Sequence, residues 1–221
     1  QGSRLFFLKK CDSLIVHSEQ MKQRLIGMGI NSEYRILGLF DYLYDKGTQE
    51  KRTLTGSINF SGNLMRSLFL KDLSGVLSVS PDIYFELYGT EDKRISYTDR
   101  IKYNGRFSPN DLSHIKGSWG LVWDGDSIEK LSSPLGEYQK LNSPHKASLY
   151  LCAGLPLIVS DESAIASFVS ENKIGLTTHS LLDLQKKIES VSQADYQVMI
   201  NNIKKISSAL SAGSNISNCV Y

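Results

Sequence analysis

Short apolar runs recur along this chain, most of them closed by Gly, Ser, Asn or Asp. Between them, apolar residues fall at three- and four-residue spacing. The runs predict buried strands, and the intervening spacing predicts helices. A helix end over Arg4 to Lys10 precedes a first strand, Ser13-Leu-Ile-Val16. Ser18 suits the cap of a helix that opens with Glu19, Gln20 and Met21 and stops at Gly27 or Gly29. Tyr34-Arg-Ile-Leu37 is the following strand. Residues 43–56 lose the pattern: Gly47, Thr48 and Gln49-Glu-Lys-Arg52 are polar and irregular, as in a linker.

Beyond residue 56 the alternation resumes. Strands are expected at Ser57–Phe60, Tyr84–Tyr88, Ile101–Tyr103, Trp119–Trp123, Leu157–Val159 and Gly175–Thr178. Helices are expected at Leu64–Leu73, Pro109–Ile115, Ser163–Glu171, Leu181–Val191 and Gln193–Leu210. Asp124 to Leu141 reads as a long polar loop, and residues 213–221 as a frayed, Ser/Asn-rich tail. Strands alternating with helices imply an α/β fold, a Rossmann-like parallel sheet with helices on both faces. Ligands of such sheets bind beyond the carboxyl ends of the strands. The residues following Phe60, Tyr88, Trp123 and Val159 are therefore the ones to inspect.

The most informative stretch runs from Asn142 to Val159. Pro144 opens a helix, His145 and Lys146 fall in its first turn, and Gly154 stops it before the strand. A helix N-terminus carries about half a positive charge, so Lys146 is a local cost unless an anion lies opposite. Two readings stand: a lysine snorkelling to solvent, or a phosphate site built from exposed N–H groups, Lys146 and His145. After Phe60 come Gly62, where backbone can approach a ligand, Asn63, a candidate cap, and Arg66 in the first helical turn. After Tyr88 comes Gly89, a place for a base or ribose or a plain turn. Asp124 and Asp126 invite a metal, but no third carboxylate or His stands at ligand spacing, so none is expected. Ser160 to Glu162 read as a helix start. Gly-x-Gly-x-x-Gly, Walker A and Gly-x-Ser-x-Gly sequences are absent, which removes support for nicotinamide, P-loop and serine-hydrolase chemistry. Basic groups from two loops, Arg66 and His145/Lys146, are left to converge on one crevice.

Bulk properties narrow the class further. With 221 residues, 41% hydrophobic and 22% charged, the chain has ample core. A net charge of +2 is too small for a nucleic-acid footprint, and no apolar run approaches the ~20 residues of a membrane span. Cys11, Cys152 and Cys219 are odd in number and far apart, as free thiols in a reducing compartment would be, so a cytoplasmic, at most membrane-peripheral, location is expected. The chain opens on Gln1 without an initiator Met, which reads as a fragment lacking its upstream part.

Four motifs occur together and in order. They are Cys-Asp-x-(hydrophobic)3-x-Ser at Cys11–Ser18, Ser-Gly-Asn-x-x-Arg at Ser61–Arg66, Gly-(hydrophobic)2-Trp at Gly120–Trp123, and the segment His145-Lys146 through Ala153-Gly-Leu-Pro-Leu-Ile-Val159. In this the chain resembles, from about Lys9 to Leu210, the glucosyltransferases that add the second sugar to streptococcal serine-rich-repeat adhesins. Bacterial galactofuranosyltransferase-like proteins belong to the same group. The resemblance implies the C-terminal half of a glycosyltransferase-B fold, a metal-independent hexosyltransferase that uses a UDP-sugar donor, UDP-glucose or UDP-galactose/galactofuranose. Its acceptor would be a glycan or glycoprotein, it would hold no tightly bound cofactor, and a homo-oligomer is a possible assembly. It further implies that Gly62, Asn63, Arg66, Tyr88, Gly89, Asn142, His145, Lys146 and Ser148 bind the donor, with Lys146 and Arg66 stabilising the leaving group. The family's Tyr before the Lys is here His145, preceded by Pro144. Residues 1–42 would be the tail of an acceptor-side domain, 57–192 the nucleotide-sugar domain, and 193–212 a helix crossing back, leaving this chain alone inactive. A non-catalytic binding or assembly subunit with the same fold is the alternative.

Overall fold

The computed structural model describes residues 6–45 and 51–220. The centre of the expected linker, residues 46–50, lies outside them, as does the start of the helix expected over Arg4 to Lys10. The chain opens with a small parallel pair, β1 (Ser13–Val16) and β2 (Glu33–Ile36), joined through α1 (Glu19–Gly27). Ser18 caps α1 by accepting the N–H of Met21 at 3.1 Å. The main sheet has six strands, all parallel: β3 (Ser57–Gly62), β4 (Tyr84–Gly89), β5 (Ile101–Tyr103), β6 (Trp119–Val122), β7 (Leu157–Ser160) and β8 (Gly175–Thr178). Their spatial order is β5-β4-β3-β6-β7-β8. The order reverses direction between β3 and β6, the switch point at which doubly wound sheets leave a crevice.

Alternation along the strands sends side chains into two cores. Phe60, Phe85, Leu87, Trp119, Leu121 and Ile158 pack on one face, under the 3-10 turn Leu68–Asp72, α2 (Leu73–Val79) and α6 (Leu184–Glu189). Val122, Leu157 and Val159 pack on the other, under α4 (His145–Cys152) and α5 (Ala166–Glu171). The long helix α7 (Gln193–Ser211) serves both, with Tyr196 and Met199 in the first core and Ile203 and Leu210 in the second. Gly120 sets how deep α4 can lie. A Cβ there would stand 2.3 Å from Cγ of Tyr150, so only glycine lets the Tyr150 ring rest on β6. Behind α4, Gly154 takes φ 75°, with Leu155 N–H donating to Tyr150 O at 2.8 Å and Gly154 N–H to Leu151 O at 3.0 Å. This is the paired closure that a left-handed glycine permits at a helix C-terminus.

Four local expectations are corrected. Leu64–Leu73 is not one α-helix: Arg66 and Ser67 N–H close turns onto Asn63 and Leu64 carbonyls, only the 3-10 turn Leu68–Asp72 is helical ahead of α2, and Phe69 N–H reaches across to Gly125 O. Asn63 therefore caps nothing, and Arg66 sits in a turn. Pro109–Ile115 forms turns, because the Asp111 carboxylate accepts both the N–H and hydroxyl of Ser113 and competes with helical bonding. The loop Asp124–Leu141 contains a helix, α3 (Ser133–Gln139), with Pro134 in its first turn. The tail is ordered as α8 (Ser214–Val220), whose first N–H groups, those of Asn215 and Ile216, donate to the Asp41 carboxylate at 3.1 and 2.7 Å. No helix among the described residues is long and apolar enough to cross a membrane.

Candidate functional site

A crevice of about 570 Å3 opens beyond the carboxyl ends of β3 and β4. Gly62 ends β3 at it and Asn63 follows, Gly89 ends β4 and Thr90 follows, and the first turn of α4 supplies His145 and Lys146. The ends of β3 and β4 meet closely: a Cβ on Gly89 would lie 1.9 Å from the Gly62 carbonyl oxygen. Glycines at both positions leave bare backbone facing the crevice, as close approach to a ligand requires.

Lys146 is only 15% exposed and fully engaged. Its Nζ donates to Asp124 Oδ1 at 2.8 Å and to Trp123 O at 3.3 Å, and it stands 4.5 Å from the centroid of the Phe60 ring. The anion demanded by a lysine at the start of a helix is thus present within the chain, on the first residue after β6 and Trp123. Asp124, weighed from sequence as a metal ligand, is the partner of a cation instead. Asp126 accepts from the Ser132 hydroxyl, and the described residues hold no cluster of three groups suited to a metal ion.

His145 stacks on Phe40, with ring centroids 3.9 Å apart and planes 19° from parallel, while His17 meets the same ring edge-on at 4.8 Å. Burial, and secondarily the charge of His145, holds His17 below the ordinary histidine range. Tyr88 turns its hydroxyl away from the crevice, donating to His114 O at 2.8 Å and accepting Lys116 N–H at 3.1 Å. What it offers a ligand is its ring, braced edge-on by Phe107 at 5.5 Å.

Six of the nine expected site residues line this crevice: Gly62, Asn63, Tyr88, Gly89, His145 and Lys146. Arg66 is exposed in the turn after Asn63 and does not line it. Ser148 is buried with its hydroxyl donating to Phe40 O at 2.6 Å, and Asn142 precedes the helix with its Oδ1 buried and without a partner among the described residues. Sequence reasoning missed Arg106, whose guanidinium donates to Thr90 Oγ1 at 2.6 Å, and Phe107. Both follow β5, a strand end that the sequence reading left uninspected. A larger cavity of about 820 Å3 lies between β1, α1 and α3, but Leu14, Ile15, Met21, Leu25 and Leu141 make it mostly apolar, and of the basic residues lining it Lys140 is already paired with Glu137 and Glu162.

The family "Glucosyltransferase 3-like, C-terminal domain" matches residues 58–221, which include both glycine-ended strands and the Lys146 helix. The chain belongs to this family. It is 33% identical over 219 residues to beta-1,6-galactofuranosyltransferase WbbI of Escherichia coli, covering 96% of this chain and 63% of that protein. Glucosyltransferase 3 of Streptococcus gordonii is 28% identical over 205 residues, covering 91% and 58%. The chain thus spans about three fifths of the length of these curated relatives. Among solved structures, sucrose-phosphate synthase from Thermosynechococcus elongatus superposes with a TM-score of 0.67 at 14% identity, covering 99% of this chain and 60% of that one. A TarM variant of S. aureus, solved with UDP and sugar ligands, superposes at 0.66 and 11% identity, covering 100% and 46%. The architecture shared with these proteins is the Rossmann-like sheet of B-fold glycosyltransferases, as the family membership leads one to expect.

Proposed function

We propose that this chain is the donor-binding part of a hexosyltransferase and that the crevice at the β3/β4 ends holds the UDP moiety of a UDP-sugar. The observation that carries the reading is Lys146, an ammonium set in the first turn of α4 at the sheet's switch point, with the bare backbone of Gly62 and Gly89 opposite. In this arrangement the diphosphate lies at the α4 end, and the nucleoside lies along Gly89, Thr90 and the braced Tyr88 ring. Lys146 meets the negative charge that grows on UDP as the glycosidic bond to the donor breaks. Arg66, exposed beyond Asn63, is the second cation of this reading. Preorganised groups of this kind are each worth about 2–4 kcal/mol of barrier. With side-chain cations meeting that charge, turnover is expected to survive chelation by EDTA. The names of the relatives, a galactofuranosyltransferase and a glucosyltransferase, support glucose or galactose/galactofuranose as the sugar, and the acceptor of this reading is a glycan or glycoprotein. Residues up to 42 are read as the tail of an acceptor-side domain, to which α7 and α8 cross back.

Calorimetric titration with UDP tests the site. Micromolar or tighter binding is expected, and a folded protein that ignores UDP would favour a non-catalytic subunit. In the whole enzyme, Lys146→Ala is expected to lower turnover by about two orders of magnitude or more with the fold preserved. Wild-type turnover in that variant removes the role.

A further inference from the structure

A carboxylate is an unexpected neighbour for a diphosphate site, and its placement is informative. Asp124 does not line the crevice, whereas Lys146 does, so the lysine stands between the cavity and the carboxylate. An ammonium has three protons to donate. Here they face Asp124, the Trp123 carbonyl and the Phe60 ring, and no donor is left for a phosphate. An entering phosphate oxygen must therefore take a place from one of the three. Trp123 O belongs to the backbone at the end of β6, and Phe60 is fully buried, so both are fixed. Asp124 is a side chain 26% exposed whose hydrogen bonding is with Lys146.

Resting on the donor reading above, we propose that Asp124 is a counter-ion that competes with the nucleoside diphosphate for Lys146. It neutralises the ammonium in the free crevice and reclaims it when UDP leaves. Asp124 is a positioning residue in this scheme, acting on the donor only through Lys146. The Trp123 carbonyl and Phe60 ring hold the lysine in place without it, so the carboxylate contributes chiefly charge, and that charge repels the diphosphate across the lysine. Removing the charge strengthens UDP binding, whereas a residue that merely oriented Lys146 would weaken binding when altered.

The test is UDP affinity measured by calorimetry on the full chain for wild type, Asp124→Asn, Asp124→Glu and Lys146→Ala. Asp124→Asn keeps an acceptor for Nζ and removes the charge, and two like charges about 6 Å apart at the edge of a protein predict binding about three- to tenfold tighter. The gain should shrink as salt is raised. Asp124→Glu, which restores the charge, should return the affinity to near wild type. Equal or weaker binding by a folded Asp124→Asn variant, with wild type binding UDP normally, overturns the counter-ion role alone. Failure of wild type to bind UDP at all overturns the donor reading and this inference with it.

Discussion

Tyr150 shows how one side chain sets the height of the helix that carries the site. Its ring lies on Gly120 and its hydroxyl accepts the Ser61 N–H at 2.7 Å, tying α4 to the end of β3 one residue before Gly62. Burial pushes the Tyr150 hydroxyl far above the ordinary phenol range, so it stays neutral at any working pH. Tyr150→Phe removes the acceptor and leaves a buried N–H unpaired, at a cost of about 1–3 kcal/mol. The expected outcome is a lower urea midpoint at unchanged slope, and an unchanged midpoint would mean that the bond contributes nothing net. Nothing in the sequence marks Tyr150 as the partner of Ser61, which lies 89 residues away. Lys146, in contrast, was legible, because a cation at a helix N-terminus violates local electrostatics and so calls for an anion. That the nearest anion is Asp124 was not, since only the adjacency of β6 and α4 brings the two together.

At the scale of elements, the ends of three elements meet beside the crevice: His17 after β1, Phe40 after β2, and His145 at the start of α4. His17 is half-buried here, and its Nδ1 is buried without a partner among the described residues. Its folded pKa lies below the ordinary value, so the unfolded chain takes up its proton first as the pH falls. Its contribution to stability is therefore complete above about pH 6.5 and is lost below it. Melting temperatures from about pH 8 to about pH 5 should fall more steeply for wild type than for His17→Gln. Parallel profiles would exclude His17 from the acid sensitivity of this seam. Most strands were legible as elements because their apolar runs are continuous, as burial on both faces demands. The elements that sequence reading mistook, Leu64–Leu73, Pro109–Ile115, α3 and α8, are short, and distant partners take some of their backbone bonds, Phe69 N–H reaching Gly125 O and the first N–H groups of α8 the Asp41 carboxylate.

For the molecule as a whole, α8 is the strap that joins the C-terminus to the first parallel pair. Asn215 Nδ2 donates to Leu39 O at 2.7 Å, Arg35 Nη1 donates to Cys219 O at 2.9 Å, and Asp41 receives the first N–H groups of the helix. A two-stranded sheet is marginal by itself, so these ties matter to β1 and β2 far more than to the six-stranded sheet. Deleting residues 214–221 should speed amide exchange across Glu33–Asp41 while leaving β3, β4 and β6 protected, as read by hydrogen-exchange mass spectrometry. Uniformly faster exchange would instead make α8 part of one global core.

By itself, the sequence determined the fold class, the strand ends to inspect, and six residues that line the crevice, out of nine expected. These follow from local periodicity, from glycine's access to close approach, and from the misfit of a cation at a helix start. Tertiary structure alone decided the partnership of Lys146 with Asp124, the entry of Arg106 and Phe107 from the end of β5, and the withdrawal of Ser148 and the Tyr88 hydroxyl into structural bonds. The physical reason is range: periodicity and capping act over one or two turns of chain, whereas which charges and hydroxyls satisfy one another depends on strand order, and parallel neighbours are brought together from tens of residues apart.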